Sequence, residues 1–215
     1  MPTPITAKTF HEAEGVDDWR VLFSGACALY RTGSFAAGAR LVAGIAEVVT
    51  EAEHAPDVDV RPDTVTVRLM THDVWSLTDA DLALARRISD VAARMGFEAD
   101  PSAVQHVQLA IDVASRPAVM PFWAAALGYR AAGDADLLDP RRCAPPIWFQ
   151  HKAHRPPRNR IHVDVSVPHD VAEERVAGIL AAGGRMLGDR FAPQWWSLVD
   201  AEGNVVDVAT WQGRD

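Results

Sequence analysis

Gln105-His106-Val107-Gln108-Leu109-Ala110-Ile111-Asp112 is matched further on by Ile161-His162-Val163-Asp164-Val165-Ser166-Val167. The two histidines stand 56 residues apart (162 minus 106). Both runs alternate polar and apolar residues, as half-buried strands do. Helical spacing follows each, over 118–127 before Gly128 and over 171–182 before Gly183-Gly184. Each copy then ends in an apolar run, at 147–150 and at 204–209. The pattern predicts a βαβββ module occurring twice, the paired modules forming a curved sheet around a cavity.

Working outward, the repeat stops near Gly96-Phe97-Glu98-Ala99-Asp100-Pro101-Ser102, where Asp100-Pro101 disfavours a continuing helix. This divides the chain into domains 1–100 and 101–215. The first reads as strands at 18–23 and 26–32, then a Ser34-capped helix over 35–53. That helix carries Phe35, Ala39, Val42, Ile45, Val49 and Ala52 at helical spacing, interrupted by Gly38 and Gly44. Strands at 58–60 and 64–71 follow, then a helix capped by Thr78 with Asp79 and Asp81 in its first turn. The expected fold class is α+β throughout. In the first domain an antiparallel sheet is covered by helices on one face.

The 215 residues are 48% hydrophobic, enough to build real cores and to exclude disorder as the main state. A net charge of −8 argues against a general nucleic-acid binder. Residues 1–100 hold 9 Lys and Arg against 16 Asp and Glu, whereas 101–215 hold 12 against 13, which supports two units. No apolar run reaches the roughly 18 residues of a membrane span, and the first residues lack signal-peptide character, so a cytoplasmic setting without membrane contact is expected. Cys27 and Cys143 are too few for a disulfide framework and read as buried structural thiols.

In the first domain the chemistry lies in Glu51-Ala52-Glu53-His54-Ala55-Pro56, Thr71-His72-Asp73 and Leu77-Thr78-Asp79-Ala80-Asp81-Leu82-Ala83. Two imidazoles at element ends near a carboxylate can run general acid–base catalysis. At these residues the domain resembles the pterin-4a-carbinolamine dehydratase family, over roughly residues 5–97. The resemblance implies a lyase that removes water from a 4a-hydroxytetrahydropterin. His54 and His72 would stand at the acid–base positions, and Asp81 would be the carboxylate near His72. Ala55 replaces the second histidine of the family's His-His-Pro, which removes a proton-transfer group worth about 10²–10⁴ in rate.

In the second domain His106, Gln108 and Ala110 share one strand face, and His162, Asp164 and Ser166 share another. His106, His162 and Asp207 are the candidate metal triad, with Gln150 as a weak fourth ligand, for a divalent ion such as Fe(II), Mn or Zn. No other cofactor is expected. Trp148 and the pair Trp195-Trp196 can wall an aromatic pocket or belong to the core. The basic run 151–160 reads as a connecting loop. Phe122-Trp123…Leu127-Gly128-Tyr129, Asn159-Arg160-Ile161-His162 and Asp200-Ala201-Glu202-Gly203-Asn204 resemble the glyoxalase/bleomycin-resistance/dioxygenase (vicinal oxygen chelate) superfamily, over roughly 103–212. The resemblance places metal ligands at His106, His162 and Asp207. It leaves two alternatives to the lyase: a metal-dependent glyoxalase- or dioxygenase-type enzyme, and a protein that sequesters a small molecule without turnover. A small pterin-like or aromatic molecule is the expected partner, and both families imply a homodimer.

Overall fold

The computed structural model describes residues 3–49, 55–71, 74–152, 161–199, 203 and 205–214, the side chains of 122, 125 and 126 excepted. The chain forms two units. One is Met1–Val104 with Pro168–Asp170 and Trp211–Asp215; the other is Gln105–Val167 with Val171–Thr210.

The first unit runs α1 (Ala7–His11), β1 (Arg20–Leu22), β2 (Gly25–Arg31), α2 (Phe35–Val49), β3 (Asp57–Val60), β4 (Thr64–Leu69), α3 (Asp79–Arg94) and β5 (Glu98–Ala99). Its sheet is antiparallel, in the order β1-β2-β4-β3, with β5 also paired to β2. Alternation decides which face is buried. Val65, Val67 and Leu69 of β4 lie opposite Tyr30, Ala28 and Ala26 of β2, and all six are buried. Against them pack Leu41 and Ile45 of α2 and Leu84 and Ile88 of α3, joined by Phe10 and Trp19. Each such aliphatic side chain contributes about 1.5–3 kcal/mol.

The two glycines that interrupt the α2 pattern mark close approaches. A Cβ at Gly44 would stand 2.9 Å from both Val91 and Met95 of α3, and one at Gly38 would stand 3.0 Å from Val65. α2 is described to Val49, and the expected helical residues 50–53 lie outside the described residues. The one-turn helix α1, capped by the Thr6 hydroxyl, is an addition to the expected elements.

The second unit runs β6 (His106–Val113), α4 (Arg116–Leu127), β7 (Arg130–Ala132), β8 (Asp136–Leu138), β9 (Ile147–His151), β10 (Ile161–Ser166), α5 (Ala172–Ala181), β11 (Arg185–Gly188), β12 (Trp195–Val199) and β13 (Val205–Ala209). This is βαβββ twice. The eight strands form one sheet in the order β11-β12-β13-β10-β6-β9-β8-β7, mirrored about the antiparallel β10–β6 pair. Within each module the first and last strands pair in parallel, β6 with β9 and β10 with β13.

The apolar face is covered by helices. Ile111, Val113, Ile147 and Phe149 pack with Val119, Met120 and Trp123 of α4. Val165, Leu198 and Val208 pack with Ala172, Val176 and Ile179 of α5. Consequently the even-numbered residues of β6, β9 and β10 all turn to the opposite face. The α+β class and both sheet arrangements agree with the sequence pattern.

Two smaller expectations change. Cys27 is buried, and burial pushes its thiol up to about 11, but Cys143 is exposed and is no core thiol. Among the tryptophans, Trp196 packs with the α5 cluster, while Trp148 and Trp195 lie on the polar face by register. No helix among the described residues is long and apolar enough to cross a membrane.

Candidate functional site

Thr78 closes the loop after β4 and starts α3. Its hydroxyl accepts the Asp81 amide at 3.4 Å, and the Asp81 carboxylate reaches back to the Thr78 amide at 2.8 Å, a reciprocal capping box. The same carboxylate oxygen, Oδ2, also accepts the hydroxyls of Thr78 at 2.9 Å and Thr71 at 2.7 Å. Asp81 and Thr78 are fully buried. A buried carboxylate holding three donors is a fixed strut between the end of β4 and the first turn of α3. Thr71 also pairs with Ser76, its amide donating to the Ser76 carbonyl at 3.1 Å, which pins both ends of the segment between them.

His72 falls in that segment and His54 follows α2. Both lie outside the described residues. Of the expected acid–base trio, the described part is Asp81 and the residue immediately before His72. Trp75, in the same segment, has a backbone φ of +49° and an exposed indole. Bulky residues rarely adopt that conformation, and nothing in a polar–apolar pattern announces it.

On the polar face of the second unit, β10 supplies His162 and Asp164 and β13 supplies Asp207. His162 Nε2 lies 3.3 Å from Asp164 Oδ1 and 3.9 Å from Asp207 Oδ2, and one ligand atom from each residue lies within 4.8 Å of the others. His162 and Asp164 are buried. Burial lowers the His162 pKa, with Asp207 and then Asp112 pulling the other way and Lys152 reinforcing the drop. The imidazole is therefore held in the neutral form that ligates a metal.

The sequence pairs His106 with His162, and their side chains share this face. The ladder sets His106 opposite Ser166 and His162 opposite Ala110. Four residues of strand separate them, roughly 13 Å. Asp164 stands in the cluster in the place expected for His106. Gln150 sits two strands away, paired with Asp112 across the β6–β9 ladder. Asp112 in turn is held by Lys152 at 2.9 Å.

The cluster passes a simple test of fit for a divalent ion. Tetrahedral ligand atoms about 2.0–2.2 Å from zinc lie roughly 3.3–3.6 Å from one another, so these three need close by only about 1 Å. Asp207 Oδ1 is buried with no hydrogen-bond partner among the described residues, which leaves ligand capacity unused.

Comparison with known proteins follows the same division. Residues 3–91 match the family described as pterin 4 alpha carbinolamine dehydratase, and residues 108–209 match a glyoxalase-like domain. A protein of Chloroflexus aurantiacus, named provisionally a pterin-4-alpha-carbinolamine dehydratase, is 31% identical over 91 residues, which are 42% of this chain and 98% of the relative. A Nocardia farcinica protein of the same provisional name is 46% identical over 59 residues, 27% of this chain and 62% of that one. A crystal structure of a glyoxalase/bleomycin resistance protein/dioxygenase superfamily member from Vibrio splendidus is 11% identical, with a TM-score of 0.33, covering 50% of this chain and 99% of its own. Through its first unit the chain belongs to the pterin-4a-carbinolamine dehydratase family, and its second unit is a glyoxalase-like domain.

Proposed function

We propose that the first unit is a lyase that dehydrates a 4a-hydroxytetrahydropterin or a related heterocycle. One imidazole of His54 and His72 protonates the departing 4a-hydroxyl, and the other accepts the N5 proton. The C4a–O bond breaks, the C4a=N5 bond forms, and the products are water and the quinonoid dihydropterin. Asp81 acts as a positioning residue. The observation that carries this reading is its three-donor clamp, which ties Thr71, the residue before His72, to the start of α3. With Ala55 in place of a second consecutive imidazole, the rate falls below that of a complete site by about 10²–10⁴.

The test is a stopped-flow assay on 4a-hydroxytetrahydropterin generated in situ. The expected result is a rate well above spontaneous dehydration, returning to background in His72→Ala and His54→Ala. A wild-type rate equal to background at high protein concentration rejects the proposal. The setting we propose is a cytoplasmic homodimer acting on a small molecule.

A second reading concerns the second unit and is favoured by the His162–Asp164–Asp207 cluster. We infer that these three residues hold a divalent ion, which when bound supplies Lewis-acid chemistry of the glyoxalase or dioxygenase type. The protein's own part is a neutral imidazole, the buried Asp164 carboxylate and the half-buried Asp207 carboxylate. Stoichiometric metal in the wild type, lost in His162→Ala, is the expected result of elemental analysis. Wild-type protein that takes up no divalent ion rejects this reading and favours sequestration of a small molecule without metal.

A further inference from the structure

Beyond the three-residue cluster, the polar face of the second unit is short of donors. Asp112 Oδ1, Gln150 Oε1 and Ser166 Oγ are buried without a hydrogen-bond partner among the described residues. The strand registers put all three on one face: Gln150 opposite Asp112, and Ser166 opposite His106. Asp112 is 3% exposed and Ser166 1%. Every one of these atoms is an oxygen. Buried acceptors without donors are costly, so these oxygens call for N–H or O–H groups from beyond the described residues, such as those of an occupant.

Charge points the same way. Among the described residues, this face carries the carboxylates of Asp112, Asp164 and Asp207 and the ammonium of Lys152. Even with a metal on the His162 cluster, Asp112 Oδ1 and Gln150 Oε1 still need donors. These two residues are direct cross-strand neighbours, about 4.8 Å apart along the hydrogen-bonding direction. Lys152 holds the other Asp112 oxygen at 2.9 Å and so fixes the carboxylate. Two residues before Gln150 on β9, Trp148 shares the face. An indole beside two acceptors, one of them fixed by Lys152, suits a flat, positively charged group.

We propose that the second unit binds a planar organic cation of the amidine or guanidine class. Its paired N–H groups meet Asp112 and Gln150, and its plane lies against Trp148. The proposal rests on the reading of this face as a small-molecule site, and it goes further in excluding carboxylates and phosphates as ligands. Benzamidine and benzoate, of similar shape and opposite charge, separate the two classes.

The experiment is calorimetric titration of the full chain, freed of metal by chelation, with each probe. Saturable benzamidine binding, no benzoate binding, and a loss of at least about tenfold in Asp112→Asn and Gln150→Leu are expected. Thermal melts confirm folding, and Gln150→Leu decides the matter if Asp112→Asn does not fold. Benzoate binding as tight as benzamidine, no saturable benzamidine binding, or unchanged affinity in Gln150→Leu overturns the proposal. Stoichiometric metal with no benzamidine binding rejects the ligand class alone and leaves the metal reading standing.

Discussion

Asp81 and His11 show how single residues in the first unit are committed. The Asp81 carboxylate takes three hydrogen bonds while fully buried. Asp81→Ala removes the capping acceptor and leaves the buried Thr71 and Thr78 hydroxyls, 2.8 Å apart, to bond only with each other. It should reduce stability by about 2–4 kcal/mol, measured by urea unfolding. A loss under about 0.5 kcal/mol would contradict the strut.

His11 Nε2 accepts the Val21 amide at 3.1 Å, and its ring stacks on Trp211 at 5.0 Å. Burial, with the neighbouring His169 and Arg20, lowers the His11 pKa from 6.5 to about 4, although Asp170 opposes the shift. Between those values the unfolded chain binds the extra proton, so stability rises with pH across the window and is flat above it. After allowance for partial exposure, the first unit should lose on the order of 1–2 kcal/mol as pH falls from 6.5 towards 4. His11→Gln, which keeps an acceptor, should flatten that dependence in pH-resolved denaturation curves. An equally steep curve in the variant would assign the acid sensitivity elsewhere.

At the scale of elements, packing explains where patterns were legible and where they were not. The glycines of α2 weaken it as an isolated helix. Gly44, however, is what lets α3 approach, and Gly44→Val should cost about 1–3 kcal/mol by overpacking, read from the melting temperature. A stability gain instead would mean that Val91 and Met95 yield freely.

Strand alternation fixed the facing of His106, His162 and Asp164, because side-chain parity follows from sequence. It did not fix how far β6 slides along β10, which depends on long-range pairing. That slide moves His106 roughly 13 Å from His162 and leaves Asp164, two residues from His162, as its neighbour. We therefore expect His106→Ala to keep full metal stoichiometry, while Asp164→Ala loses it, by elemental analysis. The reverse pattern would restore His106 to the ligand set. The oxygens of Asp112, Gln150 and Ser166 that have no partner among the described residues were illegible for another reason: a sequence shows polar residues but not which of their atoms are paired.

Across the whole molecule, the change in charge balance near residue 100 and the repeat at a spacing of 56 residues both point to two units. The candidate residues of the first unit, 54 to 81, share no position with those of the second, 106 to 207. Substitutions in the two sets should therefore act independently. His72→Ala should leave metal content unchanged, and His162→Ala should leave dehydration unchanged.

The dehydratase reading carries the account, and one rate measures it most directly. In a single-turnover experiment, excess wild-type protein should convert 4a-hydroxytetrahydropterin faster than buffer does. His72→Ala, shown by thermal melt to be folded, should match buffer. Equal rates for wild type and folded His72→Ala would contradict the assignment, whatever their size.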